Sequence, residues 1–89
     1  MAYKLLIVED EKEKATGIAY LTGKYNPECR PVLLAHDGRE GYEKATAEQP
    51  DIIVTDIRMP EMDGLEMIRE LKKAGCSAEF IVLSGYAEF

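Results

Sequence analysis

The stretch that decides the fold is residues 50–64, which read PDIIVTDIRMPEMDG. Apolar and β-branched residues fill positions 52–55, and Asp56 follows them directly. Such a run is too short for a helix and is typical of a strand that is buried on both faces. The loop after it ends in Asp63, which together with Glu66 has the spacing that starts a helix. The stretch therefore predicts a strand, a loop and a helix, with an acidic residue where the strand ends.

The same strand and helix pattern recurs along the chain. Similar short apolar runs stand at 5–8, 32–35 and 80–84, and we expect all of them to be buried strands. The segments between the runs predict helices at 12–25, 38–48 and 64–74. Strands that alternate with single helices are typical of βαβ units and a parallel sheet. We expect an α/β, flavodoxin-like three-layer sandwich with strand order 2-1-3-4, in which the first and third strands are neighbours.

Helix starts and faces are also marked in the sequence. Asp37 with Glu40 fits a capping box, in which the first side chain accepts from a free amide and the second reaches back to the N-cap amide. Apolar spacing on the third helix predicts that Leu65, Ile68 and Leu71 form its inner face.

Composition and charge exclude several classes of function. The 89 residues include 17 acidic and 11 basic side chains, which gives a net charge of −6. A nucleic-acid binder of this size usually carries a basic face, so we expect no direct nucleic-acid binding by this chain. No apolar run approaches the roughly 20 residues of a membrane span, and the N-terminus lacks a secretory signal pattern. We expect a single cytoplasmic domain that does not enter a membrane.

Acidic side chains stand where predicted strands end. Glu9 and Asp10 follow the first strand, Asp56 follows the third, and Ser84 ends the fourth. In open α/β sheets, ligands bind at the carboxyl ends of the strands where the strand order reverses. Clustered carboxylates repel one another unless a cation is present, and an all-oxygen site that is open to water suits Mg²⁺. A carboxylate beside that ion can attack a phosphoryl donor, and the Ser84 hydroxyl would then lie within reach of the new phosphoryl group.

A structural role for the same residues is the alternative. Asp10 or Glu11 could cap the first helix, and Asp56 could begin a turn before Pro60. For any one of these residues alone, capping is the commoner role. All of them together, with Ser84 at the end of the adjacent strand, favour a site.

Three blocks of sequence resemble the receiver domain of two-component response regulators, the CheY-like domain. They are LIVEDE at 6–11, PDIIVTDIRMPEMDG at 50–64 and IVLSGY at 81–86, in the order and spacing of that family. The resemblance covers the whole chain, and the middle block is the most specific of the three.

The resemblance implies a role for each site residue. Asp56 would accept a phosphoryl group from a sensor histidine kinase. Asp10 and Asp56 would ligate Mg²⁺ through their carboxylates and Arg58 through its backbone carbonyl, with Glu9 acting mainly through water. Ser84 would be the hydroxyl switch that carries the change to an output surface.

The resemblance also predicts what lies around the chain. Family members continue through a fifth strand with a phosphoryl-contacting lysine and a last helix, so residues 1–89 are expected to be a receiver domain that is incomplete at its C-terminus. Lys4, Lys12 and Lys14 do not match that lysine's position, and no role is transferred to them. The 84–89 block resembles receivers of regulators with an AraC-type DNA-binding output domain, which implies transcription regulation. Without a fifth strand, we expect the exposed fourth strand to make the chain self-associate.

Three functions compete at this level. The first is a phosphoacceptor signalling module, which is not a metabolite-turnover enzyme. The second is an interaction module that binds a partner without being phosphorylated. The third is a phosphohydrolase with an aspartate nucleophile, which would want a second acid two residues later, where Arg58 stands.

Overall fold

The fold is described by a computed structural model over residues 2–83, in which strands and helices alternate as predicted. The elements are β1 (Tyr3–Val8), α1 (Lys12–Tyr25), β2 (Cys29–Ala35), α2 (Gly38–Glu48), β3 (Ile52–Asp56), α3 (Gly64–Lys73) and β4 (Glu79–Leu83). β1 and β2 begin earlier than their apolar runs, because backbone pairing already joins Tyr3 to Cys29. Ser84, the predicted last residue of β4, lies outside the described range.

The four strands form one parallel sheet in the order β2-β1-β3-β4, which confirms the predicted topology. β1 and β3 are the central strands, and Val8 pairs with Thr55 at the last step of their ladder. Glu9 and Asp56, the residues that follow this pair, therefore emerge side by side at the carboxyl edge of the sheet.

The helices divide between the two faces of the sheet, as the predicted three-layer sandwich requires. The core on the α2 and α3 side is built from Leu6, Val8, Ala35, Ala45, Ile53, Met67 and Leu71. The core on the α1 side is built from Leu5, Ile7 and Val54, with Ile18 and Ala19 of α1 packed against them.

β4 is exposed. Ile81 is 50% exposed and Val82 is 40% exposed, so the burial on both faces that its apolar run predicted is wrong, whereas the exposed fourth strand that we expected without a fifth strand is observed within residues 2–83. The reason is its place: β4 is the outermost strand of the described sheet, while α1 packs over β1 and β2.

The inner face of α3 also differs from the prediction. Met67 and Leu71 are buried, as is Gly64, but Leu65 is 51% exposed. Gly64 faces inward, and a helix turns about 100° per residue, so Leu65 is carried to the outer side.

The predicted helix starts are confirmed for the first capping hydrogen bond, in which the N-cap side chain accepts from a free amide. Asp37 accepts a hydrogen bond from the Glu40 amide at 2.7 Å, and Asp63 accepts one from the Glu66 amide at 2.8 Å. The return bond of α2 differs, because Glu40 Oε1 accepts from the His36 amide at 2.7 Å and not from the N-cap amide. Glu40 thereby joins the end of β2 to the start of α2.

None of the helices within residues 2–83 has both the length and the apolar character needed to cross a membrane.

Candidate functional site

Three acidic side chains meet at the carboxyl edge of the sheet. Glu9, Asp10 and Asp56 each offer a carboxylate oxygen, and these oxygens all lie within 4.8 Å of one another. We call this group the acidic cluster. Glu9 is buried, Asp10 is exposed and Asp56 is half-buried, so the cluster runs from the protein interior to solvent. The structure thus brings together the three acidic residues that the strand ends predicted.

Glu9 is the buried member of the acidic cluster. Its Oε2 accepts a hydrogen bond from the Glu11 amide at 3.1 Å, whereas its Oε1 has no hydrogen-bond partner in the described part of the chain. Burial raises the pKa of Glu9, and the charge of Asp56 adds to the rise, while the Glu11 amide and Lys14 oppose it. A buried carboxylate oxygen without a hydrogen bond is costly, and a cation is the partner that would relieve it.

Asp56 is held in place by hydrogen bonds from its two neighbours in the chain. Its Oδ1 accepts from the Ile57 amide at 2.8 Å, and its carbonyl accepts from the Thr55 hydroxyl at 2.8 Å. Gly64 donates its amide to the Ile57 carbonyl at 2.7 Å and comes so close that a Cβ there would lie 2.0 Å from the Asp56 carbonyl oxygen. Only glycine fits this approach, which fixes the main chain around Asp56.

The alternative that these acids serve as helix caps is not realised at α1. Glu11 is the N-cap residue of α1, and its side chain makes no capping hydrogen bond. Asp10 precedes the N-cap and faces the cluster instead. Asp56 does make a local turn bond through Oδ1, so this residue combines a structural contact with its place in the cluster.

A lysine of α1 contacts the acidic cluster. Lys14 Nζ lies 3.4 Å from Glu9 Oε1 and 3.6 Å from Asp56 Oδ2. Desolvation acts to lower the pKa of Lys14, but the charges of Glu9 and Asp56 outweigh it and raise the pKa. Sequence reasoning gave Lys14 no role. The available signal is the place of Lys14 in the first turn of α1. A helix that starts at this edge of the sheet can point a long side chain from its first turn back over the strand ends.

The donor set fits a hard divalent cation. All the cluster atoms are carboxylate oxygens, which is the ligand type that Mg²⁺ prefers, and Glu9 Oε1 is a buried oxygen that has an ion pair with Lys14 but no hydrogen bond within residues 2–83. Arg58 lies exposed in the loop after β3, and its role as a ligand through the backbone carbonyl stays a prediction. Ser84 lies beyond the described residues, so its place relative to Asp56 also stays a prediction.

Comparisons with known proteins agree on one family. The family model described as response regulator receiver domain matches residues 5–89. The uncharacterized transcriptional regulatory protein YesN of Bacillus subtilis (strain 168) is 40% identical over 87 residues, a match that covers 98% of this chain and 24% of YesN. The chain thus spans far less than two thirds of that relative's length.

Solved structures show the same likeness. The N-terminal domain of an uncharacterized protein from Wolinella succinogenes matches with a TM-score of 0.86 and 38% identity, over 98% of this chain and 68% of that one. The two component transcriptional regulator AraC from Clostridium phytofermentans ISDg matches with a TM-score of 0.82 and 33% identity, over 97% of this chain and 67% of that one.

Proposed function

Because the chain belongs to the response regulator receiver domain family, we propose that it is a phosphoacceptor module whose Asp56 takes a phosphoryl group from a sensor histidine kinase. The observation that supports this most directly is the acidic cluster, in which Asp56 ends a central strand beside two further carboxylates. Phosphorylation of Asp56 would switch the domain between signalling states and would not turn over a metabolite.

The transfer needs little from the protein besides position and charge. A carboxylate oxygen of Asp56 attacks the phosphorus of a phosphohistidine on the kinase, the P–N bond breaks, and the imidazole leaves with a proton from solvent. The product is an acyl phosphate on Asp56. The hydrogen bonds from Thr55 and Gly64 hold the backbone, so the attacking carboxylate turns about its own side-chain bonds only.

A bound Mg²⁺ would offset the negative charge that gathers where the phosphoryl group meets the carboxylates. Asp10 and Asp56 would hold it through their carboxylates and Arg58 through its backbone carbonyl, with Glu9 acting through water. The buried oxygen of Glu9, which has no hydrogen bond within residues 2–83, supports this assignment. Ser84 would supply the hydroxyl that turns toward the new phosphoryl group.

The output is proposed to be transcription regulation in the cytoplasm through a DNA-binding domain of the full-length protein, of the AraC type. The printed names of two similar proteins support it, since one is a transcriptional regulatory protein and the other a two component transcriptional regulator AraC. The phosphoryl group adds a charge of roughly −2, which biases the fold between two states.

A second candidate is an interaction module that is never phosphorylated. The contact of Lys14 with Glu9 and Asp56 favours it, because an ammonium group can neutralise part of the acidic cluster without any metal. The labelling experiment below decides between the two.

Asp56→Asn should abolish phosphorylation, because an amide oxygen is a poor nucleophile and cannot form the acyl phosphate. The measurement is intact-mass spectrometry after incubation with phosphoramidate and MgCl₂. Asp51→Asn is the matched control, since it removes the same charge just before β3 while Asp56 ends that strand. The control should gain one phosphoryl group that hydroxylamine removes. Equal labelling of the Asp56→Asn protein would contradict the assignment, and absence of labelling in the unaltered chain would favour the interaction module.

We further propose that this 89-residue chain self-associates through β4. Within residues 2–83 this strand pairs with β3 on one side, and its side chains Ile81 and Val82 are about half exposed. An exposed apolar strand edge is a template for pairing with another chain. Light scattering should report a dimer or larger species, and Val82→Lys should shift it toward the monomer. A monodisperse monomer of the unaltered chain would contradict the proposal.

A further inference from the structure

Lys14 stands beside two of the carboxylates to which a metal ion would be attracted. Its ammonium nitrogen lies near one oxygen from each of two cluster members, at 3.4 Å from Glu9 Oε1 and 3.6 Å from Asp56 Oδ2. Any cation that contacts these two oxygens must approach the same space. Like charges repel strongly at such distances, so an ammonium group and a divalent ion cannot both keep these contacts.

The helix does not favour a cation here. Lys14 stands in the first turn of α1, where the helix dipole is positive and disfavours a positive side chain. The partner that explains its direction is the acidic cluster, because Glu9 Oε1 is buried and has no hydrogen bond within residues 2–83. The Lys14 side chain is 36% exposed, so its charged end can also turn to water while its aliphatic stem stays against the protein.

We propose that Lys14 is an internal counter-ion that neutralises the acidic cluster in the metal-free protein and competes with Mg²⁺ for Glu9 and Asp56. Lys14 then sets the metal affinity of this chain, and Mg²⁺ binding turns its ammonium group out to solvent. This inference rests on the proposed function, since it takes the acidic cluster as the Mg²⁺ site.

The test compares three variants by calorimetric titration with MgCl₂ at low ionic strength. Lys14→Met removes the charge and keeps the length of the side chain, and we expect its Kd for Mg²⁺ to fall about tenfold, which corresponds to about 1.4 kcal/mol. Lys12→Met is the matched control, because it removes the same charge two residues earlier in the chain. The Lys12 side chain is exposed and makes no ion pair within residues 2–83. Its Kd should stay within about twofold of the unaltered chain, since solvent and salt screen an exposed charge. Lys14→Arg keeps the charge and should keep the affinity.

A second readout needs no metal. After treatment with a chelator, the Lys14→Met protein should melt at a lower temperature than the Lys12→Met protein, because Glu9 loses its counter-ion. Added Mg²⁺ should raise the melting temperature of Lys14→Met more than that of the other proteins.

Each contrary result has its own meaning. If all proteins bind Mg²⁺ with equal Kd, the counter-ion role of Lys14 is overturned and the proposed function stands. If Lys12→Met or Lys14→Arg tightens binding as much as Lys14→Met, the effect comes from overall charge or from shape, and the role is likewise overturned. If none of the proteins binds Mg²⁺, the metal role in the proposed function falls together with this inference.

Discussion

Glu9 and Glu40 are two carboxylates near the carboxyl edge of the same sheet, and each has a lysine nitrogen 3.4 Å from one of its oxygens. Their pKa values nevertheless shift in opposite directions, because burial raises that of Glu9 and the His36 amide lowers that of Glu40. A lysine contact by itself therefore does not tell what a carboxylate does. In both residues the other oxygen accepts a backbone amide, so the feature that separates Glu9 from Glu40 is the access of water to the side chain.

Glu40 is satisfied within the fold. One oxygen accepts from the His36 amide at 2.7 Å and lies 3.3 Å from the His36 ring nitrogen Nδ1, and the other pairs with Lys44. Glu9 likewise has one oxygen bonded to a backbone amide and the other 3.4 Å from a lysine nitrogen, but its side chain is 1% exposed, against 35% for Glu40. Glu40 stabilises the folded chain, whereas under the proposed function Glu9 holds a buried negative charge for a cation.

The largest effect on stability is expected at Glu40. Glu40→Ala leaves the His36 amide without its partner and should lower the free energy of unfolding by about 1.5 kcal/mol at neutral pH. Urea unfolding at pH 7 measures it. Glu43→Ala is the matched control, since Glu43 is exposed on the same helix, and its effect should stay within about 0.5 kcal/mol. An equal loss of stability in Glu40→Ala and Glu43→Ala would contradict a stabilising role that is specific to Glu40.

Acid sharpens this prediction, because the pKa of Glu40 is lowered in the folded state from an ordinary value of 4.5. A carboxylate with a lowered pKa stabilises the fold above its ordinary pKa, and the stabilisation is lost as the pH falls through the lowered value. The difference between the unaltered chain and Glu40→Ala should therefore shrink once the pH drops below 4.5. A difference that grows in acid would contradict the role of the ionised form.

A smaller effect of opposite sign is expected at Glu9. Glu9→Gln removes a buried negative charge that Asp56 also repels, so the metal-free protein should gain about 1 kcal/mol in the free energy of unfolding. Urea unfolding with a chelator present measures the gain. Glu11→Gln, two residues away and exposed, should change it little. Destabilisation by Glu9→Gln would mean that Glu9 is a structural carboxylate like Glu40.

Most of the fold follows from sequence because the deciding residues are local. The apolar run at 52–55 is too short for a helix and forms a strand, and Gly75, with φ at 86°, follows α3 as a glycine after a helix usually does. Strand order then follows from the rules of parallel sheets, and the acidic cluster follows from where the strands end.

The missed features depend on direction, which a pattern of apolar residues does not encode. Leu65 is apolar but points outward, because Gly64 must face the Asp56 carbonyl and thereby sets the rotation of α3. Lys14 has no distinctive neighbours in sequence, and its contact with the acidic cluster depends on the angle at which α1 leaves β1. Both would need the three-dimensional arrangement of neighbouring elements to be predicted.

Two glycines connect Asp56 mechanically to the start of α2. A Cβ on Gly64 would lie 2.0 Å from the Asp56 carbonyl oxygen, and a Cβ on Gly38 would lie 1.9 Å from the Met62 carbonyl oxygen. The junction between this loop and α3 thus contacts the end of β3 through Gly64 and the start of α2 through Met62. Backbone atoms that are this close cannot move far without displacing one another. A shift of the main chain at Asp56 should therefore displace the end of the loop and the first turn of α2 in the same direction.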